Sequence, residues 1–222
     1  MPDLPGTPQT PDPAEPPQDR HRTVKRVTDP RALRALAHPT RLALVGLLRM
    51  EGPLTATQAG AMLGESSGSA SFHLRQLARY GMVEEAGGGH GREKPWRATA
   101  NFTQWSGDSG EPGAAEAAGM LTSFIAERYF EDLRLWLQAE PGEPQEWRDA
   151  AHFGDTVLYL TAEELADLRR QTQEMTDRFL DRHGHPERRP PGARPVTYLH
   201  LAFPLMRIMG HPLPPANPGS DA

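Results

Sequence analysis

Between residues 55 and 100 the pattern of apolar side chains is broken twice, and a glycine stands at each break. Thr55 suits an N-cap, and Ala59, Met62 and Leu63 follow at helical spacing, which predicts a short helix from Thr55 to about Leu63. Gly64 supplies a turn. Ser66 or Ser67 can cap a longer helix reaching about Tyr80, with Ala70, Leu74 and Leu77 on its apolar face. Gly81 stands where a helix end favours a left-handed residue. Residues 82–86 then read as a strand, GGGHG as a loop, and residues 94–100 as a return strand with Trp96 as its inward anchor. Two helices joined by a tight turn, then a β-hairpin, describe a winged helix-turn-helix.

Upstream, Thr28 or Asp29 can cap a helix with Pro30 in its first turn and Leu33, Leu36 and Ala37 on one face. Pro39 cannot continue that helix, so a break is expected near residues 37–39. A second helix over residues 40–50 is apolar nearly all round and should be buried on most sides.

The charge is distributed unevenly. Residues 1–19 carry four acids and no base, residues 20–100 thirteen Lys/Arg against six Asp/Glu, and residues 101–222 eleven bases against nineteen acids. A segment of charge +7 inside a chain of net charge −5 points to a polyanion partner. Chance clustering of basic residues is the competing explanation. The 222 residues contain no cysteine, which excludes disulfides, thiolate metal sites and cysteine nucleophiles. That usage fits a cytoplasmic protein. Apolar runs stop far short of the roughly 18 residues of a membrane span. No G-x-S-x-G, P-loop or H-E-x-x-H pattern occurs, so no enzyme class is indicated and no cofactor is expected.

ALAHPTR at 35–41, SSGSASFHLRQL at 66–77 and YGMV at 80–83 together resemble the ArsR-type winged-helix transcriptional regulators, over roughly residues 30–100. The resemblance implies a helix over residues 66–80 that enters the DNA major groove and a loop over residues 87–94 that touches the neighbouring backbone or minor groove. The residue types suit both tasks. Ser66, Ser67, Ser69 and Ser71 are short and polar, so bases and backbone can approach closely. His73, Arg75, Gln76 and Arg79 extend that surface. Gln76 suits an adenine edge, and Arg75 a guanine or a phosphate. His90, Arg92 and Lys94 ride on the glycine-rich wing, and Arg41 opens the second helix; the three basic residues suit phosphates. A serine-rich helix start can also be ordinary capping, and His73 can also be a packed histidine. The cysteine pair of metal-sensing members is absent from residues 55–63. His152, His183, His185 and His200 remain as imidazoles, of which His183 and His185 are closest together, and a solvated loop accounts for them better than a metal does.

The expected organisation is a disordered proline-rich tail over 1–19, a winged helix-turn-helix domain over 20–105, a linker over 106–113, a dimerisation and sensing region over 114–207, and a disordered tail over 208–222. The fold class is mainly α with small β elements, α+β. Residues 114–139 form a long helix whose broad stripe, including Leu121, Phe124, Ile125, Tyr129, Leu133 and Trp136, suits a homodimer interface. Residues 152–160 and 194–206 read as strands flanking a helix that Thr161 and Glu164 open with a capping box, giving a small strand-helix-strand module. The resulting reading is a dimeric regulator that binds palindromic double-stranded DNA. Two other readings stay open: a winged helix that binds a partner protein, and a sensor whose C-terminal module binds a small-molecule effector or metal.

Overall fold

The computed structural model describes residues 22–88, 94–208 and 211–212. Its elements run β1 (Val24–Val27), α1 (Pro30–Leu36), α2 (Pro39–Glu51), α3 (Ala56–Leu63), α4 (Ser67–Arg79), β2 (Val83–Glu85), β3 (Trp96–Ala98), β4 (Phe102–Trp105), α5 (Ala114–Ala139), α6 (Gln145–Ala150), α7 (Ala162–Asp177), β5 (Arg207–Ile208) and β6 (His211–Pro212). Helices dominate and the sheets are small, which is the α+β class expected from the sequence.

Local chemistry sets the helix ends. The Asp29 carboxylate accepts the Arg31 N–H at 2.8 Å, and Pro30 takes the first helical position, where a missing N–H has no consequence. Pro39 cannot extend α1 and instead opens α2, with His38 extended between them. Thr55 and Gln58 form a reciprocal capping box at α3, and Ser66 caps α4 by accepting the Ser69 N–H at 3.1 Å. Gly81, at φ +64°, closes α4: its N–H reaches the Ala78 carbonyl, and the Met82 N–H reaches that of Leu77.

The wing is real. β2 and β3 pair antiparallel, with Val83 opposite Ala98 and Glu85 opposite Trp96. Leu54 adds a bridge to Trp96 through bonds of 3.0 and 2.8 Å, tying the wing to the start of α3. A second pairing was not legible: β1 runs parallel to β4, Val24 beside Phe102 and Val27 beside Trp105. Arg49, largely buried, links α2 to this sheet by donating to the Ala100 carbonyl at 2.9 Å and to Thr103 Oγ1 at 2.7 Å. Burial lowers its pKa to about 10.

One core results. Leu33 and Leu36 of α1, Leu44, Val45 and Leu48 of α2, Leu74 and Leu77 of α4, and Val83 of the wing converge in it. α5 reaches it through Ala117, Ala118 and Leu121, packing on α1. Ile125 still packs against its edge; beyond that the helix leaves the core, and Phe130, Leu135 and Leu137 are exposed.

The C-terminal half departs from expectation at two points. α7 forms with the expected capping box: the Thr161 hydroxyl accepts the Glu164 N–H at 3.1 Å, and the Glu164 carboxylate accepts the Thr161 N–H at 2.7 Å. Residues 152–160 and 194–206, however, are not laddered strands, so no strand-helix-strand module exists within one chain. Their alternation of apolar residues is strand-like, but a ladder needs a partner, and among the described residues no strand pairs with either segment. What anchors this half is the turn after α7. Leu180 is buried, the Gly184 N–H donates to the Met50 carbonyl at 3.0 Å, Arg189 pairs with Glu51, and Arg22 pairs with Asp177.

Candidate nucleic-acid interface

α3 and α4 pack as the two helices of the helix-turn-helix, and their N-termini open on the same side of the molecule as the wing. Between them lies a concavity of about 540 Å³. Thr55, Ala56 and Thr57 line it from α3, Ser67, Gly68, Ser71 and Arg75 from α4, and Glu85, Lys94 and Trp96 from the wing. The positive ends of two helix dipoles, together with two cationic side chains, favour an anion there.

The expected site residues divide into three sets. Ser67, Ser71, Arg75 and Lys94 meet at the concavity. Arg75 is exposed and donates to Ser71 Oγ at 2.8 Å, which leaves most of its donors free to act outward. Lys94 pairs with Glu85 at 2.7 Å. Arg79 is exposed on the last turn of α4, and Gln76 is half-buried about one turn from His73.

A second set is engaged within the protein. Ser66 is engaged as the α4 cap. Ser69 and Thr40 hydrogen-bond the Glu65 side chain, which holds that carboxyl below its usual range. His73 lies against α2 rather than the concavity: its ring sits 4.7 Å from that of His38, and the Nδ1 atoms of both are buried without a hydrogen-bond partner. Desolvation, and then the charge of Arg41, push both imidazoles down, while Glu65 opposes the shift. Arg41 itself donates to the Ala35 carbonyl, closing the α1–α2 corner. The third set, His90 and Arg92, lies outside the described residues.

Sequence reasoning missed Thr57 and Glu85 as lining residues. The signal for Thr57 was available, because a helix-turn-helix brings both helix starts to one face. Glu85 is the acidic neighbour that the charge count alone does not locate. Elsewhere, His185 pairs with Glu187, and His183 is half-buried beside Arg189 and Arg49. Among the described residues no three His, Asp or Glu side chains gather as a metal site requires, and no helix is long and apolar enough to cross a membrane.

Comparison with known proteins bears on the same segment. Residues 36–86 match a family profile described as a helix-turn-helix domain. Among solved structures, the chain is similar to reduced HlyU from Vibrio cholerae N16961, at 20% identity over 41% of this chain and 79% of that one, with a TM-score of 0.28. No curated protein matches. The matched stretch begins at the last residue of α1 and ends just past β2, so it takes in α2, α3, α4 and the first wing strand. Residues 36–86 are thus similar to a helix-turn-helix domain, in the stretch where α3 and α4 pack together.

Proposed function

We propose that this chain is a transcription regulator that binds double-stranded DNA as a homodimer. A winged-helix domain over residues 20–105 makes the contact, and a region over residues 114–207 joins two copies through α5. The carrying observation is the shared concavity, where the starts of α3 and α4 meet Arg75 and Lys94. In this reading α4 enters the major groove, Arg75 and Gln76 read base edges, Ser67 and Ser71 allow close approach, and Lys94 and the wing hold phosphates. Arg79, with Arg92 of the wing, extends the phosphate contacts. The helix-turn-helix family match and the basic balance of residues 20–100 support DNA as partner. The exposed apolar side of α5 beyond Leu121 supports the dimer.

The test is selection from a random duplex pool at two salt concentrations, followed by sequencing. Enrichment of an inverted repeat is expected, with half-sites about 10 base pairs apart or a multiple of that, and with affinity falling steeply with salt. Retention of duplexes with no enriched sequence would overturn the operator reading. No retention at low salt would overturn DNA binding altogether.

A further inference from the structure

The two unladdered segments of the C-terminal half carry a demand that one chain cannot meet. Residues 152–160 and 194–206 contain twelve large apolar side chains classed as exposed, among them Phe153 at 80%, Tyr159 at 98%, Val196 at 70% and Phe203 at 71%. Both segments have strand chemistry: β-branched and aromatic residues, hardly any charge, and side chains two apart on one side, as where the Tyr198 and His200 rings meet at 4.6 Å. Within the chain neither segment is laddered to the other or to any described strand. Extended backbone with its polar groups unpaired, beneath apolar side chains, is a template for another strand.

Pairing the two segments with each other in one chain would not suffice. Tyr159 and Leu160 point to opposite faces of a strand, as do Tyr198 and Leu199, so a two-stranded sheet would be apolar on both sides. Within this half one chain contributes α7 as its long amphipathic helix, and two strands alone are marginal in water. Two copies supply four strands and two helices. The area is also right. Twelve side chains each hiding roughly 100 Å² give about 1,200 Å² per copy, above the roughly 800 Å² per partner of a standard stable interface.

We infer that residues 152–160 and 194–206 form a β-sheet shared between two copies of this chain, each copy supplying strands to the other. This rests on the homodimer reading above and adds the interface that completes its C-terminal half.

Because the chain has no cysteine, an introduced one is its only thiol. Full-length Thr156→Cys and Thr197→Cys chains, co-expressed with different tags and treated with a short bis-maleimide, should yield a cross-linked species carrying both tags. The unmodified protein should sediment at twice the 24.5 kDa of one chain. Hydrogen exchange on the unmodified protein should show both segments protected, a readout that needs no substitution. A 156/197 double-cysteine chain that cross-links only within itself would overturn the shared sheet in favour of pairing inside one chain. A dimer with both segments unprotected and no mixed cross-link would overturn this inference and leave dimerisation through α5 standing. A monomer would overturn both and leave the segments for a foreign protein.

Discussion

Arg75 and Lys94 stand in the same concavity but do different work. Arg75 has one N–H on Ser71 and a planar fork otherwise turned outward, which suits bidentate contact with a guanine edge. Arg75→Ala should cost about 1–3 kcal/mol at one base pair and relax preference there, read by titration against single-base-pair operator variants. An equal loss on every duplex would move Arg75 to the backbone contacts. Lys94 is a point charge in an exposed pair with Glu85, a bond worth at most about 1 kcal/mol and readily exchanged for a phosphate. Lys94→Ala should weaken all sequences alike and flatten the salt slope by about 1, whereas Glu85→Gln should strengthen them. Residue types in α4 were legible, but their facing was legible only in part. Arg75 is far from the apolar stripe and its exposure follows from periodicity. His73 borders the stripe beside Leu74, and only its packing on His38 decides that it turns inward.

At the scale of elements, the angle between α3 and α4 depends on one close approach. A Cβ on Gly60 would stand 2.8 Å from the Glu65 carbonyl oxygen and 3.3 Å from that of Ser66. Both neighbours are backbone, so the turn itself must move. Gly60→Ala should therefore cost about 1–3 kcal/mol in thermal unfolding and lower DNA affinity more than Arg79→Ala does. The seam between α2 and α4 should respond to pH. Its two imidazoles, facing each other, Arg41 and Glu65, hold pKa values below the ordinary 6.5. The unfolded chain thus binds these protons first as pH falls. Stability is full above pH 6.5 and declines as pH drops from there through the lower folded values. Unfolding temperature measured from pH 7.5 to 5 should show that decline, and His73→Phe should flatten it; an unaltered profile would acquit the pair. The helix caps at Asp29, Thr55, Ser66 and Thr161 were legible because each is settled within four residues. The β1–β4 pair was not, because its partners are four-residue strands 78 positions apart, and nothing local marks them as mates.

Taken whole, the molecule is held together unequally. Sixteen buried side chains form the core of the helix-turn-helix and the start of α5, whereas past Leu121 Leu180 is the one buried side chain among the described residues. The arm carrying α7 is otherwise tied to the rest by the Arg22–Asp177 and Arg189–Glu51 pairs and by the bonds that Gly184 and Arg189 donate to the Met50 carbonyl. With so little apolar burial behind it, the arm should open long before the core does. Periodicity showed that α7 exists but could not show this, because amphipathicity does not tell which surface receives a helix. Leu180→Ala removes the arm's main apolar contact, at the low end of the Leu→Ala range, about 2 kcal/mol. Native-state hydrogen exchange should then speed up roughly thirtyfold in α7 while α4 amides keep their rates. Equal acceleration in α4 would mean that arm and helix-turn-helix unfold as one unit. Unchanged rates in both would place the arm's anchor elsewhere than Leu180.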